Sequence, residues 1–230
     1  MSRAGHFRAA FAIIFGVTAF VVDAQAHGVA DQDSLFLAAN EGPAIAAYLY
    51  LGAKHMVTGV DHLLFLAGVV FFLYRLRDVA VYVTLFALGH SATLLTGVLS
   101  GFHADPFVVD AVIGLSVAYK AFENMGGFRS LGVNPNTKVA VFVFGLCHGF
   151  GLATKLQAVS LSAGGLVTNI LSFNIGVEAG QLFALTVMLI GFTLWRRSGR
   201  FTRHAFAANW LLLTAGFILM GYQLTGYAVA

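Results

Sequence analysis

The stretch PAIAAYLYLGAKHMVTGVDHLLFLAGVVFFLY, residues 43–74, decides the fold. It follows a Gly-Pro step, which suits a helix start. A single helix over it would be about 48 Å long at 1.5 Å per residue, against a bilayer hydrocarbon core of about 30 Å. The stretch therefore predicts an outer amphipathic or partly embedded section to about Thr58, then a first membrane span to Tyr74, with Gly52 and Gly59 as candidate break points. Inside it sit His55, Asp61 and His62. A charged side chain at mid-bilayer costs roughly 2.5–3.5 kcal/mol on insertion scales, so these groups need a partner.

Composition extends the same reading to the whole chain. Of 230 residues, 59% are hydrophobic and only 10% charged, where a soluble domain would carry about 25% charge. Mean hydropathy is +0.83. These values exclude an ordinary soluble domain and predict an all-α polytopic membrane helix bundle. Further spans are expected at about Val79–Leu99, Phe107–Phe122, Val139–Ala153, Leu166–Trp195 and Ala205–Tyr227, making about six transmembrane helices. The one cysteine, Cys147, rules out an internal disulfide and a CxxC site. The net charge of +3 forms no basic patch, so no nucleic-acid partner is expected.

Loop charges orient the spans. Arg75 and Arg77 follow the first, Arg129 and Lys138 the third, and the run RRSGRFTRH the fifth, while GFHADP after the second carries no Lys or Arg. Basic loops face the cytoplasm, which places the N-terminal end outside. The N-terminus agrees. Arg3 and Arg8 precede an apolar run from Ala9 to Val22, and Ala24-Gln25-Ala26 is a small-x-small cleavage signature. The organisation is thus a signal peptide over 1–26, a short extracytoplasmic segment over 27–42 and a transmembrane helical domain over 43–230, in a bacterial inner membrane. An uncleaved first helix is the alternative. After cleavage His27 would combine an α-amine with an imidazole, a chelating pair for Cu(II) or Ni(II). A faint echo links ALGHSATLL (87–95) to GLCHGFGLA (145–153) and hints at two three-span halves in inverted orientation.

The polar residues inside the apolar helices fall in one layer. Counted from the cytoplasmic ends, His62, His90 and His148 lie at similar depths, and the long fifth segment lets Glu178 join them. His55 is about two helical turns before His62, and Asp61 adjoins it. Each residue alone has an ordinary structural explanation. A histidine can hydrogen-bond a neighbouring helix, Asp61 can cap a helix beginning at His62, and Glu178 can be a protonated acid tying helices together. Ser91, Asn174 and Gln181 are expected as supporting polar groups rather than ligands. Four imidazoles and two carboxylates in so apolar a chain point instead to a cation site made of His55, Asp61, His62, His90, His148 and Glu178. Mixed imidazole and carboxylate ligands suit Ni, Co, Zn, Fe or Mn and poorly match Cu(I). Gly145 and Gly149 bracket His148, and Gly176 and Gly180 bracket Glu178, the small-xxx-small spacing of close helix approach. Lys120 and Glu123, one turn apart near the cytoplasmic end of the third span, are expected to form an ion pair, with part of an exit path as the alternative.

These motifs together resemble the HupE/UreJ family of bacterial membrane proteins. HMVTGVDH (55–62) is similar to its H-x5-D-H signature. ALGHSATL (87–94), ENMGGFR (123–129), FGLCHGFGLA (144–153) and FNIGVEAGQ (173–181) look like its other motifs, in the same order. The signal sequence and the FNIGVEAGQ segment resemble the branch with an extracytoplasmic N-terminus. The resemblance implies a permease for nickel or cobalt and no enzymatic activity, while the ligand types leave zinc or iron possible. It implies His55, Asp61 and His62 as the metal-binding signature of the first span. The spacing differs from the x4 of the larger nickel/cobalt permease family. An intramembrane metalloprotein, or an assembly or accessory subunit with a fixed metal site, is the alternative. The expected partners are the metal ion substrate and the lipid bilayer, with a homo-oligomer or a partner membrane subunit left open. Protons compete with metal for imidazole nitrogen, so uptake is expected to weaken as pH falls through about 6.

Overall fold

Helix α1 (Ile45–Thr58) leads into α2 (Val60–Val70) through Gly59, the break that divides the opening stretch. The structure, a computed structural model, describes residues 42–157 and 164–230. The expected signal peptide, His27 and most of the 27–42 segment lie outside the described residues. After α2 come α3 (Leu76–Ser100), α4 (Pro106–Asn124), the short α5 (Gly127–Ser130), α6 (Thr137–Gln157), α7 (Leu166–Arg197) and α8 (Phe201–Val229). The described residues are helical apart from turns and short connections. Four helices, α3, α6, α7 and α8, are long and apolar enough to cross a membrane, and α2 is a shorter apolar helix. Of the six expected spans, the first falls on α2, and α1 is the section expected ahead of it. The third is α4, which carries Asp110, Lys120 and Glu123 among its apolar residues.

Of the two glycines expected to break the first segment, Gly59 does so and Gly52 does not. Gly59 adopts an extended backbone (ψ 99°) while its N–H still bonds the His55 carbonyl at 2.8 Å. Gly52 instead lies inside α1, where a Cβ would fall 2.0 Å from the Phe173 carbonyl oxygen of α7. Its role is to let two helix backbones touch.

Such contacts organise the whole bundle into three helix pairs. On α1 and α7, Gly52 meets Phe173 and Gly176 meets Leu49; on α3 and α6, Gly145 meets Phe86 and Gly89 meets Phe142. Each of these is an approach to the partner's carbonyl oxygen. Further contacts set the direction: on α1 and α7 they advance from Ala44 with Asn169 to Ala53 with Gly180, and on α3 and α6 from Phe86 with Gly145 to Gly97 with Ala153, so both pairs are parallel. On α4 and α8, a Cβ at Gly114 would crowd the Gly216 carbonyl oxygen and the Met220 N, and one at Gly216 the Gly114 carbonyl oxygen and the Ala118 N. That pair is antiparallel and reciprocal about its own centre. The three patterns fit one internal two-fold that relates α1 to α6, α3 to α7, and α4 to its antiparallel counterpart α8. The echo between residues 87–95 and 145–153 therefore has a different origin. Those segments sit on α3 and α6 and touch each other, with Gly149 against the His90 carbonyl oxygen. They are contact partners, and the repeat pairs different helices.

The outside of the bundle is apolar. On α7, Leu182, Phe183, Ile190 and Leu194 are each more than half exposed, a surface suited to lipid chains and costly in water. Arg196 closes the bundle's basic end. Its guanidinium donates to the carbonyls of Val70, Phe71 and Leu73 at 3.1, 2.6 and 2.9 Å and lies 4.3 Å from the Tyr74 ring centroid. These carbonyls lie at and just beyond the end of α2, where backbone acceptors need donors wherever water is scarce.

Glycine substitutions test the pairing. Gly52→Leu and Gly149→Leu are expected to prevent recovery of monodisperse protein in detergent, since overpacking even by a few atoms costs about 1–3 kcal/mol. Gly191→Ala, inside α7 with nothing within 4 Å of an added Cβ, should hold or slightly raise the thermal melt.

Candidate metal centre

The break at Gly59 sets the geometry of the centre. It starts α2 one residue before Asp61, so the carboxylate falls in the first helical turn, where the helix dipole favours negative charge. Asp61 Oδ1 accepts the His62 backbone N–H at 2.8 Å and the His62 ring Nδ1–H at 2.9 Å. Asp61 thus does act at a helix start, though the helix begins at Val60, and the same oxygen also fixes the His62 ring. A proton held at Nδ1 leaves the lone pair on Nε2, which has no hydrogen-bond partner among the described residues.

His62 is the hub of four imidazoles. Its ring centroid is 5.2 Å from His55, 5.8 Å from His90 and 4.7 Å from His148. Ligand atoms of Asp61, His62 and His148 lie within 4.8 Å of one another, all in buried residues. His62, His90 and His148 are no more than 2% exposed, and His55 is half-buried. The Phe65 and Phe86 rings pack against His148 at 5.3 and 5.2 Å, so the enclosure is aromatic and dry.

Ser116 of α4 orients His148. Its hydroxyl donates to the Ile113 carbonyl at 2.6 Å and so must accept from His148 Nε2–H, 3.1 Å away. The lone pair of His148 then sits on Nδ1. A ligating histidine whose other ring nitrogen is held by a fixed acceptor is the usual arrangement at metal sites. Neither ring nitrogen of His90 has a hydrogen-bond partner among the described residues. Leaving a buried polar atom unsatisfied costs roughly 1–3 kcal/mol. A cation would satisfy several such nitrogens at once.

The expected ligand layer divides here. His55, Asp61, His62, His90 and His148 come together from α1, α2, α3 and α6. Glu178 lies apart, exposed on α7, in a cavity of about 190 Å³ shared with Thr84, Leu88 and the buried Gln181. Asn174, Glu178 and Gln181 share one stripe of α7 at i, i+4, i+7 spacing, with Asn174 and Gln181 buried and Glu178 exposed at its edge. Ser91 Oγ donates to Asn174 Oδ1 at 3.1 Å between α3 and α7. Ser116 and the phenylalanine cage were not identified from sequence. Ser116 looks like any small helical residue, and only the folded contact with His148 marks it. The expected Lys120–Glu123 pair forms at 2.7 Å.

A bundle of long apolar helices enclosing an imidazole–carboxylate cluster is a polytopic membrane protein with a candidate metal centre. The family described as HupE / UreJ protein matches residues 31–230, and the chain belongs to that family. No curated protein and no solved structure matches it.

Ser116 provides a test of the centre. Ser116→Ala removes the acceptor that sets the His148 tautomer and should weaken metal affinity about 10–100-fold while leaving helix content intact. Titration calorimetry with Ni and Co, beside circular dichroism, reads both.

Proposed function

We propose that this protein is a permease for a divalent transition-metal cation, nickel or cobalt foremost, embedded in the bacterial inner membrane with its N-terminal end outside. The HupE/UreJ family is associated with nickel and cobalt transport, and membership carries that association to this chain. The observation that supports it most directly is the cluster around His62, where imidazoles from four helices and the Asp61 carboxylate meet in a dry enclosure. Neutral imidazoles replace the water that a borderline cation sheds, and the carboxylate supplies countercharge. Ligands spread over several helices suit a transported ion, because a small relative movement of those helices changes the coordination.

Six crossings are the topology we adopt: α1 with α2 as the first, then α3, α4, α6, α7 and α8. The basic loops then alternate with uncharged or weakly charged ones, as orientation requires. On this topology the inside-negative potential drives a divalent cation inward, contributing about 2.3 kcal/mol per charge per 100 mV.

A second reading, a fixed intramembrane metal, draws on the burial of the three central histidines. Purified protein in liposomes separates the two. Saturable uptake of Ni or Co is expected in wild type, with Asp61→Asn and His62→Ala each reducing it by at least about tenfold, the effect seen when ligand or orienting groups are removed. Tight stoichiometric binding without flux would instead support the fixed metal. Neither binding nor flux would refute both.

A further inference from the structure

Two charged pairs outside the centre share one seam, the contact of α4 with α6. Lys155 Nζ, on α6, binds both oxygens of Asp110, on α4, at 3.0 and 2.8 Å. At the other end of the seam, Lys120 Nζ binds Glu123 Oε2 at 2.7 Å, and Thr137 of α6 donates to Glu123 Oε1. Between them lies the Ser116–His148 contact of the metal centre. The two helices run antiparallel here, since Asp110 pairs with Lys155 and Glu123 with Thr137.

The order along the seam is therefore ion pair, imidazole, ion pair. Lys120 is one helical turn from Ser116, about 6 Å along α4, and Lys155 is two turns from His148, about 10 Å along α6. All four charged side chains are at most 15% exposed. Partly buried ion pairs are rarely stabilising relative to apolar residues of similar size, so stability alone gives no reason for them.

The inner pair borders open space. A cavity of about 440 Å³ is lined by Lys120, Glu123, Thr137, Tyr82 and Asn124, with the exposed Arg129 at its rim. Val69, which lines this cavity, belongs to one buried apolar cluster with Phe65, Val117 and Val141, and Phe65 packs against His148 of the centre at 5.3 Å. The stem of Lys120 lies across Gly68 of α2, where a built Cβ would be 3.1 Å from its Cγ. Movement of α2 against α4 would shift that lysine directly.

Resting on the permease reading, we propose that Asp110–Lys155 and Lys120–Glu123 are the outer and inner gates of the cation path, each ammonium occupying the carboxylate that a passing divalent cation would contact. A tethered ammonium repels a cation in the low-dielectric interior and neutralises the carboxylate that would attract it. Withdrawing the ammonium does both opposite things at once. One residue thus opens the barrier and exposes the next stepping point.

The test uses full-length protein in liposomes, with Ni or Co as the probe. Lys120→Met and Lys155→Met keep the apolar stem and remove the charge. The double Met variant is expected to leak preloaded metal down its gradient at least tenfold faster than wild type, with unchanged affinity in detergent. Asp110→Asn and Glu123→Gln should slow uptake at least tenfold, again with wild-type affinity. Lys120→Arg and Lys155→Arg, which keep the charge, should stay tight. If wild type binds and transports metal but the Met and amide variants match it within twofold, the gates are wrong and the permease stands. A Met variant that no longer elutes as folded protein assigns the pair to structure and overturns the gate. Wild type that neither binds nor moves metal overturns the permease and the gates together.

Discussion

A polar atom sealed from water must find a partner within the protein, and His62 is where that constraint bears hardest. Its ring is held by Asp61 on one side and faces three other imidazoles on the other. No bulk water reaches this interior to satisfy the remaining nitrogens, so the cluster is costly unless it serves a ligand. The rest of the bundle is arranged around that cost. Gly59 breaks the first segment so that Asp61 falls in the opening turn of α2, and Phe65 and Phe86 exclude water. Ser116 reaches from α4 to set the last tautomer.

Close backbone approach is what makes the convergence possible. Helices packed through leucines would stand about 8–10 Å apart. Glycines at the α1–α7 and α3–α6 contacts bring backbones together until a single Cβ would collide with a carbonyl oxygen. His90 and His148 lie on the two members of one such pair, and His55 is on the other. The same contact recurs, with Gly52 against Phe173 in the α1–α7 pair and Gly145 against Phe86 in the α3–α6 pair. Each tight pair joins a helix of the first half of the chain to one of the second, so the glycine contacts hold the two halves together. The α4–α8 contact, reciprocal about Gly114 and Gly216, lies at the centre of the internal two-fold.

Much of this was legible in the sequence because the signals were local. An apolar stretch too long for one span has to break, and a glycine just before Asp-His is a natural place. The H-x5-D-H spacing put His55, Asp61 and His62 within two turns of one another, so their convergence needed only the chain's own geometry. Small-xxx-small spacing around His148 marked a helix contact. The charged pair of Lys120 and Glu123 was one turn apart on one helix. Composition alone sufficed for an all-helical, lipid-facing chain.

What the tertiary structure alone decided depends on rotation and partner choice between helices distant in sequence. Depth along a helix can be counted from its end, but azimuth around the bundle cannot. Glu178 thus matches the layer in depth and shares the stripe of Asn174 and Gln181, yet it is exposed at the edge of that stripe while they are buried. The same reason hid Ser116 and the Asp110–Lys155 pair, whose members are far apart in sequence and meet only because α4 and α6 run antiparallel. The similarity between residues 87–95 and 145–153 was visible, yet only the packing distinguished touching helices from repeated ones. Local chemistry and helix period are written along one chain, whereas which faces meet is set by the collective packing of all the helices.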